Sequence, residues 1–156
     1  MSIATTVEQH LARQGINFDV LDHATTYTAS RTAQVSHITG KAVAKAVLLK
    51  DEEGYLLAVL PASRQIEFGR LEALLTRKLF LANEEEAAAH FADCEPGALP
   101  ATGDAYGIPL VVDNNLSLQS DIYFEGGDHH SLLHISGDQF ERLMASAQHG
   151  HFSSPG

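Results

Sequence analysis

Lys45 interrupts an otherwise apolar run, Val43-Ala44-Lys45-Ala46-Val47-Leu48-Leu49. An ammonium among aliphatic neighbours loses hydration unless something anionic meets it, which makes this lysine a candidate anchor for a negatively charged ligand. The same pattern also suits a lysine at a strand edge, with its stem packed and its head in water. A second feature is the stretch Glu95-Pro96-Gly97-Ala98-Leu99-Pro100-Ala101-Thr102-Gly103. Two prolines and two glycines make it a constrained loop, and tight loops of this kind can turn backbone N–H groups toward an oxyanion or a carboxylate. Taken alone, it reads as a plain connection.

Other chemistries fit the chain less well. The histidines at His129, His130, His134, His149 and His151 lack the helical His-Glu-x-x-His zinc spacing. His130 and His134 fall on an expected strand, where even spacing puts them on one face; His149 and His151 fall in the tail, where metal binding would be adventitious. No serine sits in a Gly-x-Ser-x-Gly elbow, and Gly40-Lys41 lacks the upstream glycine and following hydroxyl of a phosphate loop. The single cysteine, Cys94, lies between Asp93 and Glu95, whose charges disfavour a thiolate, so it reads as inert. One cysteine also excludes an intrachain disulfide and fits a reducing cytoplasm. No metal or cofactor is expected.

The chain has 156 residues, 44% of them hydrophobic and 19% charged, as in an ordinary globular domain. No apolar stretch is long enough for a membrane span, and the start lacks the pattern of a signal peptide. The formal charge of −10 argues against a surface that coats nucleic acid, DNA included. Its distribution is uneven. Nine of the ten Lys/Arg residues precede Leu79, with eight of the twenty acids, whereas Arg142 alone accompanies the other twelve. A phosphate-bearing ligand is therefore expected at the N-terminal half, around Arg31, Lys41, Lys45, Arg64, Arg70 and Arg77.

The elements that must position these residues follow from periodicity and punctuation. Thr5-Thr6-Val7-Glu8 reads as a capping box for a helix over 6–14 that Gly15 stops. Phe18–Leu21 alternates as a strand, and Thr28 or Ser30 caps a helix to about Val35. The Lys45 strand and Tyr55–Leu60 flank a Gly54 turn as a hairpin that Pro61 ends; alternation puts Val43, Lys45, Val47 and Leu49 on one face. Residues 64–75 suit an amphipathic helix, and Asn83 caps another through Phe91. Strands are expected at Ile108–Val112, Asp121–Phe124 and Ser131–Ile135, a helix over 137–147, and a loose tail over 149–156. Strands and helices interleave without strict βαβ alternation. The expected fold is α+β, a curved mixed β-sheet of about six or more short strands with flanking helices, in one domain over 1–148.

His23, Tyr27-Thr28-Ala29, Ala44–Leu49, Tyr55–Leu60 with Pro61-Ala62, Gly97-Ala98-Leu99-Pro100, Gly103, Tyr106-Gly107, Val111-Val112-Asp113 and Leu116 occur in an order that resembles the YbaK/prolyl-tRNA-synthetase-associated domain family. The resemblance covers roughly residues 5–145. It implies a cytoplasmic aminoacyl-tRNA deacylase that clears mischarged tRNA in trans, binding the acceptor end, in some cases beside an aminoacyl-tRNA synthetase. Lys45 matches the family's functional lysine, which helps position the terminal ribose, phosphate or ester. Gly97, Ala98, Leu99 and Pro100 match the loop whose N–H groups meet the aminoacyl carbonyl. The resemblance further implies that water attacks the activated ester and that the terminal adenosine's hydroxyl assists proton transfer, so that no triad is needed. Thr28 and Ala46 fall in the matching segments as substrate contacts. Asp113 matches a recurrent aspartate, which could equally pin its turn, and His130 lies where some members place a pocket residue. The chain departs from the family at Ala46, where several subfamilies carry a polar residue. It departs again at Ala101, because the loop proline comes one position early, at Pro100. The alternative function on the same fold is a non-catalytic module that binds tRNA or an aminoacyl compound.

Overall fold

Alternation along Tyr55–Pro61 organises the molecule. This strand, β3, is buried on both faces: Leu57 and Val59 enter one core, and Leu56, Ala58 and Leu60 enter another. The computed structural model describes residues 3–95 and 97–156. Within them β3 pairs antiparallel with β2 (Ala44–Lys50), which sets Lys45 opposite Leu60 and Lys50 opposite Tyr55. On its other side β3 pairs in parallel with β6 (Leu110–Asp113). β5 (Phe80–Leu81) and β9 (Gln148–Gly150) complete a five-stranded mixed sheet in the order β5-β2-β3-β6-β9. A three-stranded antiparallel sheet has the order β1-β8-β7, from β1 (Asp19–Asp22), β7 (Asp121–Glu125) and β8 (Ser131–Ser136). A bridge between Val43 and Tyr123 joins the two sheets, with Tyr123 N–H donating to the Ala42 carbonyl at 2.9 Å.

The first core lies between these sheets. Val7 and Leu11 of α1 (Thr5–Arg13) and Phe140 and Leu143 of α5 (Gly137–Leu143) close it against Ile122, Phe124, Leu133 and Ile135. The second core covers the far face of the large sheet, where α3 (Phe68–Leu75) contributes Leu71 and the chain's end contributes Phe152. Two further helices frame the candidate residues. In α2 (Ala29–Val35), Thr28, the first of the two expected candidates, is the N-cap and accepts from Arg31 N–H at 3.1 Å. Asn83 likewise caps α4 (Glu84–His90) in a full capping box with Glu86. The Glu86 carboxylate also receives Lys50 Nζ at 2.9 Å and the Tyr55 hydroxyl, which ties α4 to the β2–β3 hairpin.

The α+β mixed-sheet architecture agrees with the sequence reading, and several local expectations are corrected. α1 begins after Ala4 with no side-chain cap, because the Thr6 N–H donates to the Asp93 carboxylate instead. Residues 64–75 divide: Arg64–Ile66 forms β4, and the helix starts only at Phe68. Pro61 is the last residue of β3, a position where a missing N–H is tolerated. His130 precedes β8, in the turn, so it does not share a strand face with His134.

The largest correction concerns residues 149–156, expected to be a loose tail. β9 runs parallel to β6, and β10 (Ser153–Pro155) pairs antiparallel with β4. Phe152 between them is fully buried. Burial of a phenylalanine and the pairing of two strand edges outweigh the entropy of ordering so short a segment.

Candidate active site

The candidate residues converge at one end of β2. A cavity of about 130 Å³ is lined by Tyr27, Thr28 and Ala29, by Val43 to Ala46, and by Gly97, Leu99 and Glu125. Lys45, Ala46, Gly97, Leu99 and Thr28 are therefore brought together from three separate segments. Among the described residues Lys45 is the only basic side chain of the lining and Glu125 the only acidic one. The lysine forms no hydrogen bond or ion pair with any described residue, and burial pushes its pKa below the usual lysine value. It is a half-buried cation with no ion-pair partner among the described residues, which favours an anionic ligand over the packed-stem alternative.

The Gly97 loop is held from both sides. Phe91 at its start is fully buried and packs on Tyr106, with ring centroids 4.6 Å apart. Asp93 accepts from Thr6 N–H and from the Tyr106 hydroxyl, and Glu95 N–H donates to the Gly127 carbonyl at 2.7 Å. Ala98, Ala101 and Thr102 are fully buried downstream. Pro96 lies outside the described residues. Within this frame the Ala98 N–H is spent on the Glu95 carbonyl at 3.1 Å, in a turn. The N–H groups of Gly97 and Leu99, both on the cavity lining, have no partner among the described residues. The available donors are thus Gly97 and Leu99, while Ala98 and Pro100 serve as buried packing behind them. Gly97 has φ +82°, a conformation glycine adopts without penalty, and a Cβ there would stand 3.3 Å from His129 Cε1.

Glu125 is the residue that sequence reasoning missed. Its side chain is 11% exposed, Oε1 accepts from the Thr32 hydroxyl at 3.1 Å, and His23 Nε2 stands 3.7 Å from Oε1. Oε2 is buried and has no hydrogen-bond partner in the described structure. Burial raises the pKa of this carboxyl to about 7, against the weaker opposing effects of Thr32 and His129. No motif announces it: Phe124-Glu125-Gly126 reads as the end of a strand, and only the approach of α2 encloses the acid.

Two expected substrate contacts lie elsewhere. Asp113 is absent from the cavity lining. Its carboxylate caps a 3₁₀ turn over Asn114–Leu118 and accepts from Phe152 N–H at 3.0 Å, Ser153 Oγ at 2.9 Å and Asn115 Nδ2 at 2.8 Å. Burial alone would raise its pKa, but these donors outweigh it and hold the group below the usual carboxylate range. Asp113 therefore pins its turn and the C-terminal segment, the other of the two roles open to it. His130 lines a neighbouring cavity of about 410 Å³ with Thr25, Glu84, Glu95, Asp128 and His129, and Tyr27 forms part of both walls. The expected phosphate-binding set also divides. Arg64 and Arg70 donate to Ser153, and Arg77 pairs with Asp51 at 2.8 Å, so three of these cations are engaged away from Lys45.

Among the described residues no three His, Cys, Asp or Glu side chains form a group suited to a metal, and His134 is held between Asp121 and Asp19. Burial pushes the Cys94 thiol up to about 11. No helix of the described residues is long and apolar enough to cross a membrane.

A sequence model of the aminoacyl-tRNA editing domain matches residues 23–143, which span His23, Lys45, Gly97 and Glu125. No curated protein gives a significant match. Among solved structures, a scaffold protein from work on computational grafting of linear epitopes superposes with TM-score 0.85 at 21% identity, covering 97% of each chain. A structure described as that of a candidate trans-editing enzyme for prolyl tRNA synthetase gives TM-score 0.84 at 20% identity, over 96% of this chain and 95% of that one. A third, described as a candidate signal transduction protein from Marinobacter aquaeolei VT8, gives TM-score 0.78 at 22% identity. This chain matches only 30% of that larger protein, through 95% of its own length. At these identities the structural matches establish the fold.

Proposed function

Because the chain belongs to the aminoacyl-tRNA editing domain family, we propose that it hydrolyses the ester bond of mischarged aminoacyl-tRNA as a free-standing deacylase acting in trans. One observation carries the reading. A half-buried ammonium and two backbone N–H groups, none with a partner among the described residues, line the same small cavity at Lys45, Gly97 and Leu99.

The chemistry follows from what each group can do. The aminoacyl ester places its carbonyl oxygen at the Gly97 and Leu99 N–H groups. Water adds to the carbonyl carbon, and the negative charge that develops on oxygen is met by donors already held in place by the loop. Collapse breaks the bond to the terminal ribose oxygen, which takes up a proton as it leaves, and the free amino acid departs. Lys45 supplies positive charge to the phosphate, ribose or ester oxygens of the acceptor end. A cavity of about 130 Å³ admits the aminoacyl group and leaves the terminal nucleoside outside, where Tyr27 is 73% exposed at the rim. Metal-independent turnover is part of the proposal, since the groups that stabilise charge are a lysine and two amides. A synthetase working beside the protein and a cytoplasmic setting accompany it.

Deacylation of tRNAs carrying alanine, cysteine, serine and proline, by wild type and Lys45→Ala in the presence of chelator, is the test. Lys45-dependent release of one amino acid is expected. If the folded protein releases none, the alternative of a non-catalytic tRNA- or aminoacyl-binding module takes its place.

A further inference from the structure

We propose that Glu125 recognises the α-ammonium of the aminoacyl group, with its free carboxylate oxygen as the acceptor. The inference rests on the reading that the Lys45 cavity takes an aminoacyl ester, and goes beyond it by naming what that ester must carry. Among the described residues the cavity has one acid in its lining, and that acid has one oxygen already held and one without a partner. A buried acceptor left unpaired costs free energy that a ligand donor recovers on binding. Groups of the protein do not fill the role. His23 Nδ1 is engaged with the Ala24 carbonyl at 2.7 Å, and its Nε2 stands beyond hydrogen-bond distance from Glu125 Oε1. The Thr32 hydroxyl has a single proton, for which Glu125 Oε1 and the Thr28 carbonyl compete. Lys45, on the same lining, makes no ion pair with it.

The chemistry of the substrate supplies what is missing. In every aminoacyl ester the α-ammonium is one carbon from the carbonyl. When the carbonyl oxygen lies at Gly97 and Leu99, the ammonium stays inside so small a cavity, within the reach of its walls. A carboxylate and an ammonium in a site withdrawn from water attract each other far more strongly than at the surface. Recognition of this group requires a free amine. Peptidyl- and N-acylated tRNAs, which carry an amide in its place, are excluded.

The test uses two stable analogues, 3′-alanylamido-3′-deoxyadenosine and its N-acetyl derivative, titrated calorimetrically against wild type, Glu125→Gln and Lys45→Ala. Gln preserves the shape of the side chain, and a thermal melt verifies folding of each variant. Wild type is expected to bind the free amine at least tenfold more tightly than the acetylated compound. Glu125→Gln is expected to bring that ratio to near one, whereas Lys45→Ala weakens both compounds and keeps it. A Glu125→Gln protein that retains the wild-type ratio overturns the proposal and leaves the deacylase reading standing. Binding of neither analogue to wild type overturns both.

Discussion

At the scale of the residue, the two catalytic candidates separate by kinetic signature. Loss of a charge-assisted contact costs about 1.5–3 kcal/mol, so Lys45→Ala should lower kcat/KM for aminoacyl-tRNA about ten- to hundredfold. Arginine at this position should restore part of the loss. An alanine variant with wild-type kcat/KM would remove Lys45 from the mechanism. Gly97 acts differently. Its φ of +82° and the 3.3 Å approach of His129 to a would-be Cβ mean that Gly97→Ala strains the loop that carries both N–H groups and crowds His129. Removing one such donor costs about 3 kcal/mol in the transition state, so kcat should fall roughly a hundredfold with KM little changed. Wild-type kcat in a folded Gly97→Ala protein would show that the loop does not stabilise an oxyanion.

At the scale of the element, the C-terminal segment carries a larger share of stability than its composition suggests. Asp113 holds Phe152 and Ser153 while Arg64 grips Ser153 from the β4 side, which locks β9 and β10 onto two different sheets. Phe152→Ala should destabilise the fold by about 3–5 kcal/mol, as for other buried aromatics, and chemical denaturation measures it. Asp113→Ala should lower stability and leave KM for aminoacyl-tRNA unchanged in the folded fraction. A raised KM at unchanged stability would return Asp113 to the substrate site. The strands of this segment could not be read in the sequence because β9 and β10 are three residues each, with too few positions for periodicity. Phe152, a large apolar residue near the end of the chain, was the only signal. The Lys45 hairpin is the opposite case: two seven-residue apolar strands on either side of the Gly54 turn are long enough to be read locally.

At the scale of the whole molecule, charge and pH are the measurable consequences. Glu125 has a folded-state pKa of about 7 against an ordinary 4.5, so the folded state keeps a proton that the unfolded chain has already lost. Its contribution is complete below about pH 4.5 and is lost as pH rises through 7. The stability of wild type relative to Glu125→Gln should therefore decline across that window, by up to about 3 kcal/mol. Asp113 and Asp93, whose pKa values are lowered, contribute in the opposite sense and only in more acid solution, and they cancel in the comparison. A difference that does not vary with pH would mean that Glu125 is not protonated in the fold. The net charge of −10 has its own consequence for tRNA binding. Arg64 and Arg70 turn to Ser153 and Arg77 to Asp51, and none of the three lines the cavity with Lys45. The logarithm of the binding constant should fall with that of salt concentration by a slope of no more than about 2. A slope of 4 or more would point to a phosphate-binding face away from the cavity.

The amino-acid order by itself determined the class of fold, the hairpin and the cap at Asn83, narrowed the cap of the second helix to Thr28 or Ser30, and singled out Lys45 and Gly97, on which the proposed chemistry turns. These depend on local rules: alternation, side-chain capping, glycine where φ is positive, and a charge where the pattern calls for an aliphatic residue. Tertiary structure decided the rest. It set Asp113 off the cavity as a tether, left the N–H groups of Gly97 and Leu99, but not of Ala98, without a partner among the described residues, ordered the tail around Phe152, and enclosed Glu125. Each of these turns on which groups from distant segments meet and which are left unpaired, and hydrogen-bond satisfaction is settled only when the chain has closed on itself.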